Sequence, residues 1–100
     1  MKPDITITIH FRTGIKLEGH NCWGLCQQAD NVFQISVDKN ASLMGKLGII
    51  YHEITHALIG WAFGQGIIPK KSEESACNAV EEAGKLHLDM AIRGKSGRRL

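Results

Sequence analysis

His52, Glu53 and His56 stand in the pattern H-E-x-x-H. Residues four apart on an α-helix differ by roughly 40° around its axis, so the two imidazoles leave one side of the helix a turn apart and can grip one cation between them. Neutral imidazole nitrogen is a good zinc ligand, and a catalytic zinc keeps about three protein ligands with a remaining position for water. Glu53 lies roughly 100° further round than His52, where its carboxylate can reach that water without binding the metal. Zinc lowers the pKa of a bound water to about 7. A neighbouring carboxylate can then take the proton during attack on a carbonyl and pass it to the leaving amine. The expected roles are His52 and His56 as metal ligands and Glu53 as general base.

The pattern needs a helix, and the spacing predicts one. From Ala41 onward Leu47, Ile50, Ile54, Leu58 and Trp61 recur at three and four residues, the stripe of an α-helix. Asn40 or Ser42 can cap its start, and Gly64-Gln-Gly66 with Pro69 ends it. This stripe points away from the histidines and is expected to bury against a sheet. Gly45, Gly48, Ile49, Ile59 and Gly60 lie on the metal side, where small groups would let another element come close. A glycine inside a helix costs about 1 kcal/mol relative to alanine, so a run of them asks for a packing reason. A second helix is expected from near Ser72, followed by Glu73 and Glu74 where a helix N-terminus favours negative charge. Ala76, Ala79, Val80, Ala83, Leu86 and Met90 give it an apolar face.

Before the helices, Ile5-Thr-Ile-Thr-Ile-His-Phe11 alternates, placing Ile5, Ile7, Ile9 and Phe11 on one face of a strand. Thr13-Gly14 is a turn, Ile15 to Leu17 begins a second strand, and Gly19 to Asn21 reads as loop. Asp30-Asn31 is a turn signal ahead of a strand from Val32 to Val37. The fold class expected is α+β: a small antiparallel sheet followed by a long active-site helix and a C-terminal helix.

A chain of 100 residues has room for one core. Residues 1–92 are read as a single metallopeptidase-like domain and 93–100 as a basic flexible tail. The formal charge of +2 is largely terminal: Arg93, Lys95, Arg98 and Arg99 leave eight basic against ten acidic residues in the rest. A mildly acidic body makes nucleic acid an unlikely partner. No stretch approaches the ~20 apolar residues of a membrane span, and no export signal is visible. Three cysteines, Cys22, Cys26 and Cys77, fit reduced thiols in a cytoplasm better than a disulfide framework. His20, Cys22 and Cys26 could make a separate metal cluster, but C-x-x-x-C lacks the second pair such sites use. Cys77 is expected to pack as a small apolar residue, and Trp23 and Trp61 as core or cleft wall.

Tyr51-His-Glu-Ile-Thr-His-Ala-Leu58 followed by Glu73-Glu-Ser-Ala-Cys77 resembles the gluzincin clan of metallopeptidases, in particular minimal single-domain and phage-type members. The likeness covers residues 32–86. It implies one zinc per chain, peptide-bond hydrolysis, and an edge strand at the start of that stretch pairing with an extended peptide or protein substrate. It also implies a cytoplasmic setting, of the host cell if phage-encoded, and a third metal ligand from a Glu on the following helix. Between the two candidates, Glu73 lies roughly 60° from the apolar face of that helix and Glu74 about 160°, so Glu73 is expected to point inward, with Glu74 the alternative. A metzincin would need His where Ala62 stands. Larger gluzincins carry a further domain that supplies an oxyanion donor, a part for which neither Tyr51 nor His87 is well placed. The alternative function is a metal-stabilised module with a vestigial protease site, docking a protein or nucleic acid.

Overall fold

The structure is a computed structural model that describes residues 4–64 and 66–95. Five strands precede two helices: β1 (Thr6–Arg12), β2 (Lys16–Leu17), β3 (His20–Asn21), β4 (Gly24–Ala29), β5 (Val32–Asp38), α1 (Leu43–Phe63) and α2 (Lys70–Lys95). The α+β order expected from the sequence is the one observed. β4 and β5 form an antiparallel hairpin, with Ala29 opposite Val32 and Asp30 at φ 55° in the turn between them. β1 adds on the other side of β5 in parallel, Ile7 beside Phe33 and Ile9 beside Ile35. β2 and β3 make a separate antiparallel ribbon.

The order β1-β5-β4 puts β5 in the middle, which corrects the edge position that the gluzincin likeness implied for residues 32–37. β4 is one of the two edge strands, β1 being the other. β4 escaped the sequence reading because Gly24-Leu-Cys-Gln-Gln-Ala29 holds no β-branched or aromatic residue. The Asp30-Asn31 turn directly before β5 was the available signal, since such a dipeptide joins two strands.

Phe33, Ile35 and Val37 of β5 are fully buried and form the bed on which α1 lies. Ser42 caps α1, its hydroxyl accepting from the Gly45 N–H at 3.0 Å. Gly64, at φ 95°, ends it with its N–H on the Gly60 carbonyl. The Leu47–Trp61 stripe is half-buried at Leu47, Ile50, Ile54 and Trp61, and the deepest burial lies elsewhere on α1. Its buried positions are Gly48, Glu53, Ala57 and Gly60, while Leu58 is 45% exposed. The sheet touches α1 at Gly24 of β4, where an added Cβ would collide with Ile49 and press on Glu53. α2 meets α1 on the neighbouring side. There Gly48 leaves room for the Lys85 side chain, and a Cβ on Gly84 would lie 2.5–2.8 Å from Tyr51 ring atoms. Two partners therefore share one half of α1, and the apolar stripe lies roughly 100° beyond Glu53, at the margin of the contact.

α2 begins two residues before Ser72 and runs to Lys95, three residues into the segment expected as tail; 96–100 lie outside the described residues. Its expected apolar face is a correction as well. Ala76, Ala79 and Ala83 are exposed, as are Val80 at 39%, Leu86 at 61% and Met90 at 62%. The face turned to α1 holds Glu74, Cys77, Glu81, Gly84 and Leu88, all buried or half-buried, spaced at three and four residues in their own helical stripe.

Candidate metal centre

The two helices place His52 and His56 of α1 opposite Glu73, Glu74 and Glu81 of α2. His52 Nε2 lies 2.7 Å from Glu74 Oε1, and His56 Nε2 lies 3.2 Å from Glu74 Oε2. One carboxylate thus bridges the outer nitrogens of both rings. The inner nitrogens have separate partners: His52 Nδ1 lies 3.0 Å from Glu81 Oε1, and His56 Nδ1 lies 2.5 Å from Glu73 Oε2. The rings stand edge to face with centroids 5.1 Å apart.

Counting donors shows what this arrangement accommodates. A neutral imidazole has one N–H, yet both nitrogens of each ring face carboxylate oxygens, which accept and do not donate when ionised. With the Nδ1 protons directed to Glu81 and Glu73, the two Nε2 lone pairs and the Glu74 carboxylate converge with no donor among them. Such a set is completed by an electrophile, and a divalent cation fits it. His52, His56 and Cys77 also bring one potential ligand atom each to within 4.8 Å of one another. The chain therefore has a group that can hold a metal ion, with Cys77 as well as the carboxylates around it.

Both glutamates expected to compete for the third position are at the centre, on different atoms. The inner stripe of α2 passes between them, Glu74 about 40° to one side and Glu73 about 60° to the other. The preference for Glu73 assumed that the Ala76–Met90 face was the buried one. With that face outside, Glu74 meets the Nε2 atoms and Glu73 supports a ring from behind. Glu81, two turns along, returns to the same face through its i, i+7 spacing from Glu74.

Glu53 is 8% exposed. Burial raises its pKa above the ordinary glutamate value, opposed by the neighbouring His56 and His52 and reinforced by Glu74 and Glu81. It lies on the boundary between two hollows. One, of about 640 Å³, is lined by β4 residues Gly24, Cys26 and Gln28, by His52, His56 and Glu53, and by Glu73 and Glu74. The other, of about 420 Å³, has Trp23, Ile49, Gly45, Lys85 and Glu81 among its lining residues. Lys85 Nζ is 3.2 Å from Glu81 Oε2; hydrogen bonding to Glu81 raises its pKa and keeps it an ammonium.

The cysteines separate in the fold. Cys22 donates weakly to the His20 carbonyl at 3.6 Å, His20 is exposed, and Cys26 faces the cleft, so the three do not assemble. Burial, followed by the charges of Glu53 and Glu73, pushes the Cys26 thiol up to about 12. Cys77 is fully buried and is likewise pushed up to about 12, by burial first and then by Glu74, Glu73 and Glu53. Trp23, at 64% exposed, stands on the wall of the smaller hollow, and Trp61 is half-buried on α1. Among the described residues no helix is long and apolar enough to cross a membrane.

Comparison with known family models, curated proteins and solved structures returns no match.

Proposed function

We propose that this chain is a zinc metallopeptidase in which His52 and His56 bind the metal through Nε2, Glu74 is the third ligand, and Glu53 is the general base. The observation that carries the reading is the convergence of both Nε2 atoms on the one Glu74 carboxylate, at 2.7 and 3.2 Å, while Glu81 and Glu73 back the Nδ1 atoms. Carboxylates behind metal-bound histidines fix the ring and tautomer, and losing one typically costs 10–100-fold in metal affinity, order of magnitude. Zinc held there would supply an acidified water and polarise the scissile carbonyl.

The chain's own residues then divide the work. Glu53, buried beside His52 and His56 with a raised pKa, takes the water's proton, holds it, and returns it to the departing amine. Among the described residues β4 is an edge strand of the three-stranded sheet and lines the cleft, where an extended peptide can add as a further strand. Gly24 lets that edge lie against Glu53, since a side chain there would collide with α1. An unfolded stretch of protein is the substrate such an edge selects.

The experiment is a pair. Protein purified without a metal-binding tag should carry about one zinc per chain, read by elemental analysis. Wild type should cut an unstructured protein substrate, and Glu53→Gln should retain the zinc and lose the cutting. Absence of zinc uptake ends the reading. Zinc uptake with no cleavage by wild type would favour the alternative, a metal-stabilised binding module.

A further inference from the structure

Cys77 is fully buried on α2, one turn beyond Glu73 and Glu74. Its Sγ lies within 4.8 Å of a ring nitrogen of both His52 and His56. A cysteine kept for packing alone is surrounded by apolar side chains. This one has its Sγ beside the two imidazoles and sits on the same inner stripe of α2 as Glu74 and Glu81. Glu74 and Cys77 are three residues apart and face α1 together, so both can address the point on which the Nε2 atoms converge.

We propose that Cys77 is an inner ligand of the metal centre, its sulfur joining His52, His56 and Glu74 as a fourth protein donor to zinc. This rests on the metal reading given above and extends it to regulation of the same site. Three protein donors and a water make an open, catalytic zinc, whereas four protein donors make a closed one. The Cys77 sulfur and the hydrolytic water are then alternatives for one position. On closing, the S–H proton leaves to solvent, a sulfur–metal bond forms and the water departs; opening reverses each change, with no oxidant or reductant involved. Proton release on binding is the general behaviour of thiol ligands. A soft sulfur donor also biases the centre toward zinc, cobalt or cadmium and away from magnesium, calcium or manganese.

Cobalt(II) reports both layers of the claim separately. Added to the metal-free full chain, it should give the visible ligand-field absorption of a four-coordinate site together with a near-ultraviolet sulfur-to-cobalt charge-transfer band. Cys77→Ser should keep the visible absorption and lose the charge-transfer band, and should bind zinc about tenfold or more weakly; Cys26→Ser should retain the band. The wild-type spectrum tests the proposal even if Cys77→Ser folds poorly. Visible absorption without the charge-transfer band in wild type overturns the Cys77 ligand and leaves the histidine–glutamate centre standing. A band that survives Cys77→Ser and disappears in Cys26→Ser overturns it too. If cobalt and zinc both fail to bind wild type, the metallopeptidase reading falls and the Cys77 proposal with it.

Discussion

The two faces of α2 invert the usual rule for a helix on a protein surface. The inner face, toward α1, carries Glu73, Glu74, Cys77, Glu81 and Lys85, and the outer face carries Ala76, Val80, Leu86 and Met90, the last two more than 60% exposed. Hydrophobic burial would favour the opposite rotation, since a Leu or Met side chain moved out of water contributes about 1.5–3 kcal/mol. The inner face instead keeps its polar groups paired. The Nδ1 contacts of His52 and His56 to Glu81 and Glu73 and the Lys85–Glu81 ion pair satisfy part of them. The Nε2 atoms and Glu74 are completed by a cation on the proposed reading, and a buried polar group costs heavily only when it lacks a partner. α2 thus turns its polar stripe to His52 and His56 and leaves its apolar residues outside.

The sharpest way to break this comparison is to remove one inner carboxylate at a time. On the proposed zinc reading, Glu74→Gln should weaken zinc binding by more than the roughly 10–100-fold typical of a supporting carboxylate, because it removes a donor itself. Glu73→Gln and Glu81→Gln should cost about 10–100-fold, because each leaves the ligand set intact and loosens one ring. Competition against a chromophoric chelator measures all three. If Glu73→Gln proves the costliest and Glu74→Gln is mild, the ligand and the supporting group have been exchanged.

Helix spacing gives the next largest effect. Gly84→Val should destabilise the chain by about 1–3 kcal/mol through overpacking, since even its Cβ would sit 2.5–2.8 Å from the Tyr51 ring. Part of that loss should appear as weaker zinc binding, because a wider gap between the helices moves Glu74 from the imidazoles. Denaturant melts with and without zinc separate the two contributions. A Gly84→Val chain as stable as wild type would mean the helices can slide without cost.

Glu53 lies on the buried side of α1, and its effect is pH-dependent. Its pKa is raised in the folded chain from 4.5, chiefly by burial, so the folded state holds this proton more tightly than the unfolded one. Stability of the metal-free protein therefore falls as pH rises from the ordinary glutamate value through the raised one, and the loss is complete above it. Glu53→Gln removes that loss. The metal-free variant should melt higher than metal-free wild type at neutral pH, and the difference should close at pH values below 4.5. A difference that stays constant across this range would assign it to something other than the carboxylate.

How much of this was legible in the sequence depended on whether a residue's role could be read from its own element. His52, Glu53 and His56 share one helix, and their four-residue spacing places them together without knowledge of anything else. The order of sheet, long helix and second helix followed from the change of period at Ala41. What failed were statements about which neighbour a face meets. The Ala76–Met90 stripe was assigned to the interior because apolar periodicity was taken to mark burial. For α2 the stripe of Glu74, Cys77 and Glu81 faces α1 instead, which sets Glu74 beside both Nε2 atoms and Glu73 beside His56 Nδ1. β4 was missed because its role is set by position on the sheet edge and by the small Gly24, neither of which has a propensity signature. Cys77 could be seen only once α2 had been docked on α1.

The smallest expected effect belongs to the outer face of α2, and its smallness is what makes it informative. Leu86 and Met90 are 61% and 62% exposed, so most of their apolar area is already in water in the folded chain and little is lost by making them polar. Leu86→Gln and Met90→Gln should each change stability by no more than about 0.5 kcal/mol, the range of surface substitutions away from special features. Glutamine keeps the length and the helix propensity close to those of the residues replaced, so a helix-formation effect does not obscure the result. Zinc affinity should be unchanged, since neither residue is part of the inner stripe that holds Glu74 and Glu81. A loss of several kcal/mol on either substitution would show that α2 buries this face after all. The rotation that brings Glu74 to both imidazoles would then be wrong, and the contrast between the two faces would be lost.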